Sequence, residues 1–514
     1  MPVFQKNTLF WALVLLIVAL FQLYFPIASD EAYFISWGAA PALGYYDHPP
    51  LPGWISYAIN SLGRMLQIAD IGLLHRLFSL GLGATSLLLI ARRAGQFSGQ
   101  MSGQQSGRML VALALVPGYL VLFNLYLNDT LLLFFVLLFL LASEWAYRAK
   151  RLVWLAILAA GLSFAAILLT KYNGAVIYIG MVFGLLTWPA GRRFLFGRMV
   201  LISLVALGPF LLHLWWNYNN CSINLAFNFG FRKSEAAGFG PLWLLLSMLI
   251  MAGPLGFMAL GTAMRNWRGP HLGFFSRAFL GSVSVMLVVS VLLGDFGANW
   301  GAPLGVMAAL SLVEMSGPRW FKLARNLGAG LTALTLLPAL GLIAAFQLNL
   351  VAPKDILPAG QARFAALLLD MDSTELPRAL RTLATNRIVA TTEYGVGAGL
   401  KLAGFDDVVV MSQSVFGRNQ DLQTDFRTLD GRNMLLLSNL KPRAMEIARS
   451  VFDSFQIVTI TTSRQSYDVV LGQGFRYENY RKNYILPVVT RFYDQNPFPY
   501  TQCFMDKYRQ PLTF

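Results

Sequence analysis

Residues 29–54 read SDEAYFISWGAAPALGYYDHPPLPGW and follow the first long apolar segment of the chain directly. Four polar ionisable groups, Asp30, Glu31, Asp47 and His48, sit there among aromatic residues and prolines. The surrounding chain is 56% hydrophobic and only 13% charged. Carboxylates this close to a bilayer cost several kcal/mol, roughly, unless they are paired, hydrated or bound. One reading is a wet interfacial loop whose acids face water; the other is a site.

Working outward, the apolar runs set the fold class. The chain has 514 residues and a mean hydropathy of +0.55, far too apolar for a soluble enzyme. Runs near twenty residues without period-two alternation predict helices rather than a barrel, because lipid leaves no partner for an unsatisfied backbone. The sequence therefore describes a polytopic α-helical membrane protein with about eleven transmembrane helices. They are expected near residues 8–27, 72–91, 109–125, 130–147, 152–169, 173–189, 199–216, 241–262, 278–294, 301–316 and 327–349. The first run is long, opens with little positive charge and leads straight into DEAY, so it reads as a retained span and not a secretion signal.

Charge supports this count. Arg92, Arg93, Arg108, Arg148, Lys150, Arg151, Arg192, Arg193, Arg198, Arg265, Arg268, Arg277, Arg319, Lys322 and Arg325 fall on one side, taken as cytoplasmic together with the N terminus. Asp30, Glu31, Asp47, Asp129, Lys171, Arg232, Lys233, Glu235 and Asp295 fall on the other, with everything after about residue 350. The net charge of +15 is then explained by short loops meeting anionic lipid, and no nucleic-acid partner is called for. Residues 95–107 form a polar Gly/Ser/Gln linker. The two cysteines, Cys221 and Cys503, both lie on the external side and allow one intramolecular pairing, with free thiols as the alternative.

Residues 1–349 thus form a membrane domain with an external loop at 28–71, and residues 350–514 a soluble α/β domain. In the latter, helices are expected at 363–370, 375–385 and 442–455, and strands at 387–391, 407–411, 433–437, 457–461 and 467–471. GVGAGLKLAG, residues 395–404, superficially suggests a nucleotide loop but lacks its spacing and lysine; small residues packing a helix start fit better. The aromatic stretch 475–504 reads as domain core or membrane seat.

The DE pair after the first span, followed by GYYDHPPLPGW, resembles the first external loop of GT-C glycosyltransferases, specifically the bacterial relatives of protein O-mannosyltransferases and of the lipid A aminoarabinose transferase. NDTLLLF at 128–134, TKYNG at 170–174, WNYNN through FNFGFRK at 216–233, GPLWLL at 240–245 and ANWGAP at 298–303 fit in the same order. The resemblance covers about the first two thirds of the chain. It implies an inverting transferase of the bacterial inner membrane, working on the periplasmic face. The sugar would pass from a polyprenyl (undecaprenyl) phosphate carrier to lipid A, lipopolysaccharide core or another glycan, or alternatively to protein. A transporter or lipid flippase is the rival of another class, but such proteins place charge at mid-bilayer, where these spans have almost none.

By that resemblance Asp30 is the acid that orients or deprotonates the acceptor, with Asp47 and Asp129 as further catalytic acids. An N-cap is the plain alternative for Asp129. His48, Lys171, Arg232 and Lys233 are candidates for the donor phosphate, His48 standing where the aminoarabinose transferase has lysine. Glu31, Tyr45, Tyr46, Asn299 and Trp300 complete the candidate substrate-binding set. The three acids would suit a divalent cation if they converge, although some relatives work without metal.

Overall fold

The computed structural model describes residues 7–96, 103–231, 239–266, 272–293, 297–315, 318–373, 375–438 and 441–511. Packing divides the chain into two units. The first comprises Met1–Leu23, Leu73–Leu211 and Ser234–Gly341; the second comprises Tyr24–Gly72, Leu212–Lys233 and Leu342–Phe514. The loop after the first span and the segment around Cys221 therefore pack with the C-terminal residues, a grouping that a border drawn near residue 350 from composition alone does not contain.

The first unit is helical. Among the described residues, six helices of the whole chain are long and apolar enough to cross a membrane, or up to nine if each bent pair counts as one span. Every stretch expected to span is helical, but not every one is a single rod. Gly103–Ala114 and Pro117–Asn124 are bent by 66°, and Gly240–Met251 and Gly253–Arg265 by 115°. Pro117 and Pro254 lack the amide a continuing helix needs, and Gly253 takes φ +59°. Gly174–Leu186 and Ala302–Glu314 have 13 residues each, about 20 Å of helix, short of a full span.

Small residues let these helices approach closely. A Cβ on Gly180 or Gly184 would collide with the backbone of Ser282 or Arg277, so Gly174–Leu186 and Phe274–Leu292 pack main chain to main chain. Helix ends are satisfied by side chains. Arg198 donates to the carbonyls of Ala146 and Ala149 at the end of Asn128–Arg148, and Glu314 accepts from the amides of Phe275 and Ser276.

The second unit is built on a five-stranded sheet: β1 (Ile388–Thr391), β2 (Val408–Val410), β3 (Met434–Leu437), β4 (Phe452–Thr461) and β5 (Ser466–Phe475). Their order is β2-β1-β3-β5-β4, parallel through β3 and antiparallel beyond it. Both faces of β3 are buried, as a continuous apolar strand requires. The helix expected at 442–455 ends at Val451, because Phe452 already pairs with Phe475 in the sheet. Residues 395–404 do form a helix start, Tyr394–Leu402, packed by small residues.

Candidate active site

Ser29–Trp37 is the central element of the second unit's site. Asp30 and Glu31 lie in its first turn, where the helix dipole favours negative charge. Glu31 is buried and its carboxylate accepts the amide N–H of Ala28 at 3.3 Å, a capping-box arrangement. That geometry gives Glu31 a structural task rather than a place against substrate. Asp30 stays exposed, and its Oδ1 accepts the hydroxyl of Tyr394 at 2.7 Å. Tyr394 reaches it because Gly395 has no side chain: a Cβ there would collide with Ser29.

Asp30, Tyr33 and Trp37 lie along one stripe of this helix. The ring of Tyr33 meets that of Tyr394 edge-on at 5.0 Å, and its hydroxyl donates to Asp47 Oδ1 at 3.2 Å. Asp30 and Asp47 are thus joined through two touching tyrosines. Burial, then the charge of Asp30 and its hydrogen bond, then the charge of Asp47 push the Tyr394 hydroxyl well above its usual range, so it remains a donor.

The turn carrying Asp47 is held from outside. Asn224 Nδ2 donates to the carbonyl of Tyr45 at 2.8 Å, Asn228 Nδ2 to that of Asp47 at 3.0 Å, and the amide of Tyr46 donates to Asn419 Oδ1 at 3.2 Å. Inside the turn, the amide of Tyr45 donates to the carbonyl of His48 at 3.2 Å. Cys221 and Cys503 are bridged, resolving the pairing left open by the sequence. Cys221 and Ser222 both take positive φ, +57° and +45°. Such strained backbone persists because neighbours fix it: Cys221 N–H donates to the carbonyl of Gln502 and the Ser222 hydroxyl to that of Pro499.

Tyr45 and Tyr46 are core residues, at 1% and 0% exposure, so neither ring offers a face to a sugar. Tyr45 stacks on Trp37 at 4.2 Å, and Tyr46 packs on Phe227. His48 is half-buried beside Phe34 and Trp37.

Asp129, Lys171, Asn299 and Trp300 lie in the first unit. Lys171 Nζ donates to both oxygens of Asp129, at 2.8 and 3.0 Å, and Asn299 Nδ2 donates to Asp129 Oδ2 at 2.8 Å. Both ionic side chains are about 7% exposed. Asp129 sits in the first turn of Asn128–Arg148, but its carboxylate serves this pair and not the helix amides. Trp300 packs partly buried against the helical core. Arg232 and Lys233 lie outside the described residues. Among the described residues, no three of His, Cys, Asp and Glu gather as a metal site would require.

Tyr394, Tyr33, Asn224, Asn228 and Asn419 were not singled out from sequence. Asn228 stands inside the FNFGFRK motif and Tyr394 immediately before the small-residue helix, the two local signals that were available.

The family described as dolichyl-phosphate-mannose-protein mannosyltransferase matches residues 47–216. A lipid A galacturonosyltransferase, RgtD of Rhizobium johnstonii, is 26% identical over 381 residues, covering 72% of this chain and 76% of that protein. Crystal structures of ArnT from Cupriavidus metallidurans, apo and bound to undecaprenyl phosphate, each superpose with a TM-score of 0.55 at 13% identity, over 91% of this chain and 98% of ArnT. The chain and ArnT share a fold.

Proposed function

We propose that this chain, a multi-pass GT-C glycosyltransferase that draws its sugar from a polyprenyl phosphate, transfers that sugar to lipid A or the adjoining lipopolysaccharide core. The lipid A galacturonosyltransferase and the undecaprenyl phosphate complex of ArnT support the acceptor and the carrier respectively. The observation that carries the catalytic reading is Asp30. Of the three acids expected from sequence it alone is exposed, and it is held by a neutral hydroxyl.

In this reading the acceptor oxygen attacks the anomeric carbon as the bond from that carbon to the carrier phosphate breaks, and the phosphate leaves with the electron pair. A single displacement inverts the anomeric centre. If the acceptor is a hydroxyl, its proton passes to Asp30; if it is an ionised phosphate, Asp30 orients the attacking group. Tyr394 fixes the carboxylate's direction. Asp47, joined to the same pair of tyrosines, adds negative charge beside the oxocarbenium-like anomeric carbon. The departing phosphate calls for cations, for which Arg232 and His48 are the proposed groups. The membrane is the bacterial inner membrane, and the distribution of arginines supports a periplasmic active face.

Mass spectrometry of envelope lipids tests this in three strains: one lacking the protein, one with it restored, and one restored with Asp30→Asn. A sugar-sized mass on lipid A or core, present only with the intact protein, is expected. Identical lipid profiles with the protein demonstrably made would overturn the assignment; the same comparison on envelope glycoproteins reads out the protein-acceptor alternative.

A further inference from the structure

The Ser29–Trp37 helix has a second stripe. Ala32, Ile35, Ser36 and, just beyond its end, Ala39 face away from the tyrosines and line a cavity of about 770 Å³ within the second unit. Its other walls come from Leu51–Met65, Glu375–Leu383 and Tyr394–Leu402. The lining is mixed in a particular way. Leu367, Met371 and Val396 give apolar surface, whereas Arg64, Arg378, Arg381 and Lys401 bring four cations against two carboxylates, Asp70 and Asp372.

These cations have few commitments. Among the described residues, Arg64 donates to Ser61 on its own helix, whereas Arg381 is tied to the carbonyl of Ala403. Lys401 donates to Gln423 at 3.3 Å, and burial lowers its ammonium below the usual lysine range. The side-chain oxygen of Asn60, also in the wall, is buried without a hydrogen-bond partner among the described residues. Excess positive charge, an unsatisfied acceptor and an apolar wall together match a head group carrying phosphate, hydroxyls and attached acyl chains.

We infer that this cavity binds the phosphorylated sugar head group of the acceptor amphiphile, separately from the carrier phosphate. The inference rests on the transferase reading. The helix that presents Asp30 on one stripe thereby holds the acceptor's anionic anchor on the other. Arg64 and Arg378 are anchoring residues, and the hydroxyl to be glycosylated is a different part of the same molecule.

Binding is the test, because it is read without turnover. The full chain in nanodiscs is titrated with diphosphoryl lipid A, with the same lipid enzymatically dephosphorylated, and with inorganic phosphate. The intact protein is expected to favour the phosphorylated lipid, and Arg64→Gln with Arg378→Gln to weaken it by about tenfold or more. Lys401→Gln, made alone, is expected to weaken it less. Equal affinity in the double variant, or equal binding of the dephosphorylated lipid, would overturn the assignment. Displacement by inorganic phosphate at similar concentration would make it a free-phosphate site and overturn the amphiphile. Intact binding in a protein that transfers no sugar would sink the transferase reading and leave the cavity's ligand standing.

Discussion

Asp129 in the helical unit and Asp30 in the mixed unit are both carboxylates at the start of helices, and each is fixed by a named partner of different charge. Asp129 is buried and answered by the ammonium of Lys171. Asp30 is exposed and answered by a tyrosine hydroxyl that stays neutral. The first arrangement cancels charge and holds helices together; the second fixes direction while leaving negative charge at the surface. Sequence position alone makes the two acids look equivalent, and partner chemistry separates them.

The contrast is sharpest under substitution. Asp30→Asn keeps size and removes charge, so transfer should fall by about 10²–10⁴-fold with the thermal unfolding midpoint unmoved, as turnover and melting assays on purified protein would show. Lys171→Met should do the reverse in kind. It strands a buried carboxylate and should lower stability by about 3–5 kcal/mol in detergent unfolding, whereas Lys171→Met combined with Asp129→Leu should recover most of that loss. If Lys171→Met instead left stability intact and raised the half-saturating concentration of donor, Lys171 would be a phosphate ligand first and a structural partner second.

A smaller effect is expected from Tyr394→Phe, which removes one hydrogen bond to a charged group: about 10–100-fold in turnover, with little change in stability. Its pH behaviour gives the sign. Burial and the Asp30 charge raise the folded-state pKa of Tyr394 above the ordinary value near 10, so the unfolded chain ionises first. The contribution of the pair is therefore complete below about pH 10 and is lost only as pH rises beyond it. An alkaline decline present in the intact protein and absent from Tyr394→Phe would confirm this order. The least effect should come from Asn228→Ala, roughly 1 kcal/mol of local order at Asp47, seen as a few-fold loss of turnover and faster amide exchange in the turn.

Much of this frame was legible before any coordinates. Uninterrupted apolar runs can satisfy their backbone in lipid only as helices, so spans such as 130–147 and 152–169 followed from composition. Short apolar runs between polar turns announced β1, β2 and β3. What escaped reading has a common cause: it joins residues remote in sequence. Nothing local ties Asp30 to Tyr394, 364 positions away, and the bridge between Cys221 and Cys503, 282 positions apart, was legible only as one of two alternatives. Lys171 illustrates the same point from the other side, since an ammonium at the end of an apolar run suits a phosphate and a carboxylate equally, and only packing shows that Asp129 is there. The tyrosines at 45 and 46 look like sugar platforms in a string of letters because aromatic content does not reveal which way a ring faces.

The clamp on the turn at 45–47 also has a bearing on how the protein is made. Its three asparagines come from positions 224, 228 and 419, and the strained backbone beside the first two is locked by a bridge to Cys503. A ribosome delivers Asp47 hundreds of residues before it delivers Asn419, so the nascent chain can insert its spans while the turn at 45–47 is still unsupported. The turn's full support then arrives late, once the final segment has been made and the Cys221–Cys503 bridge has formed. A chain released early would carry the turn without its last supports.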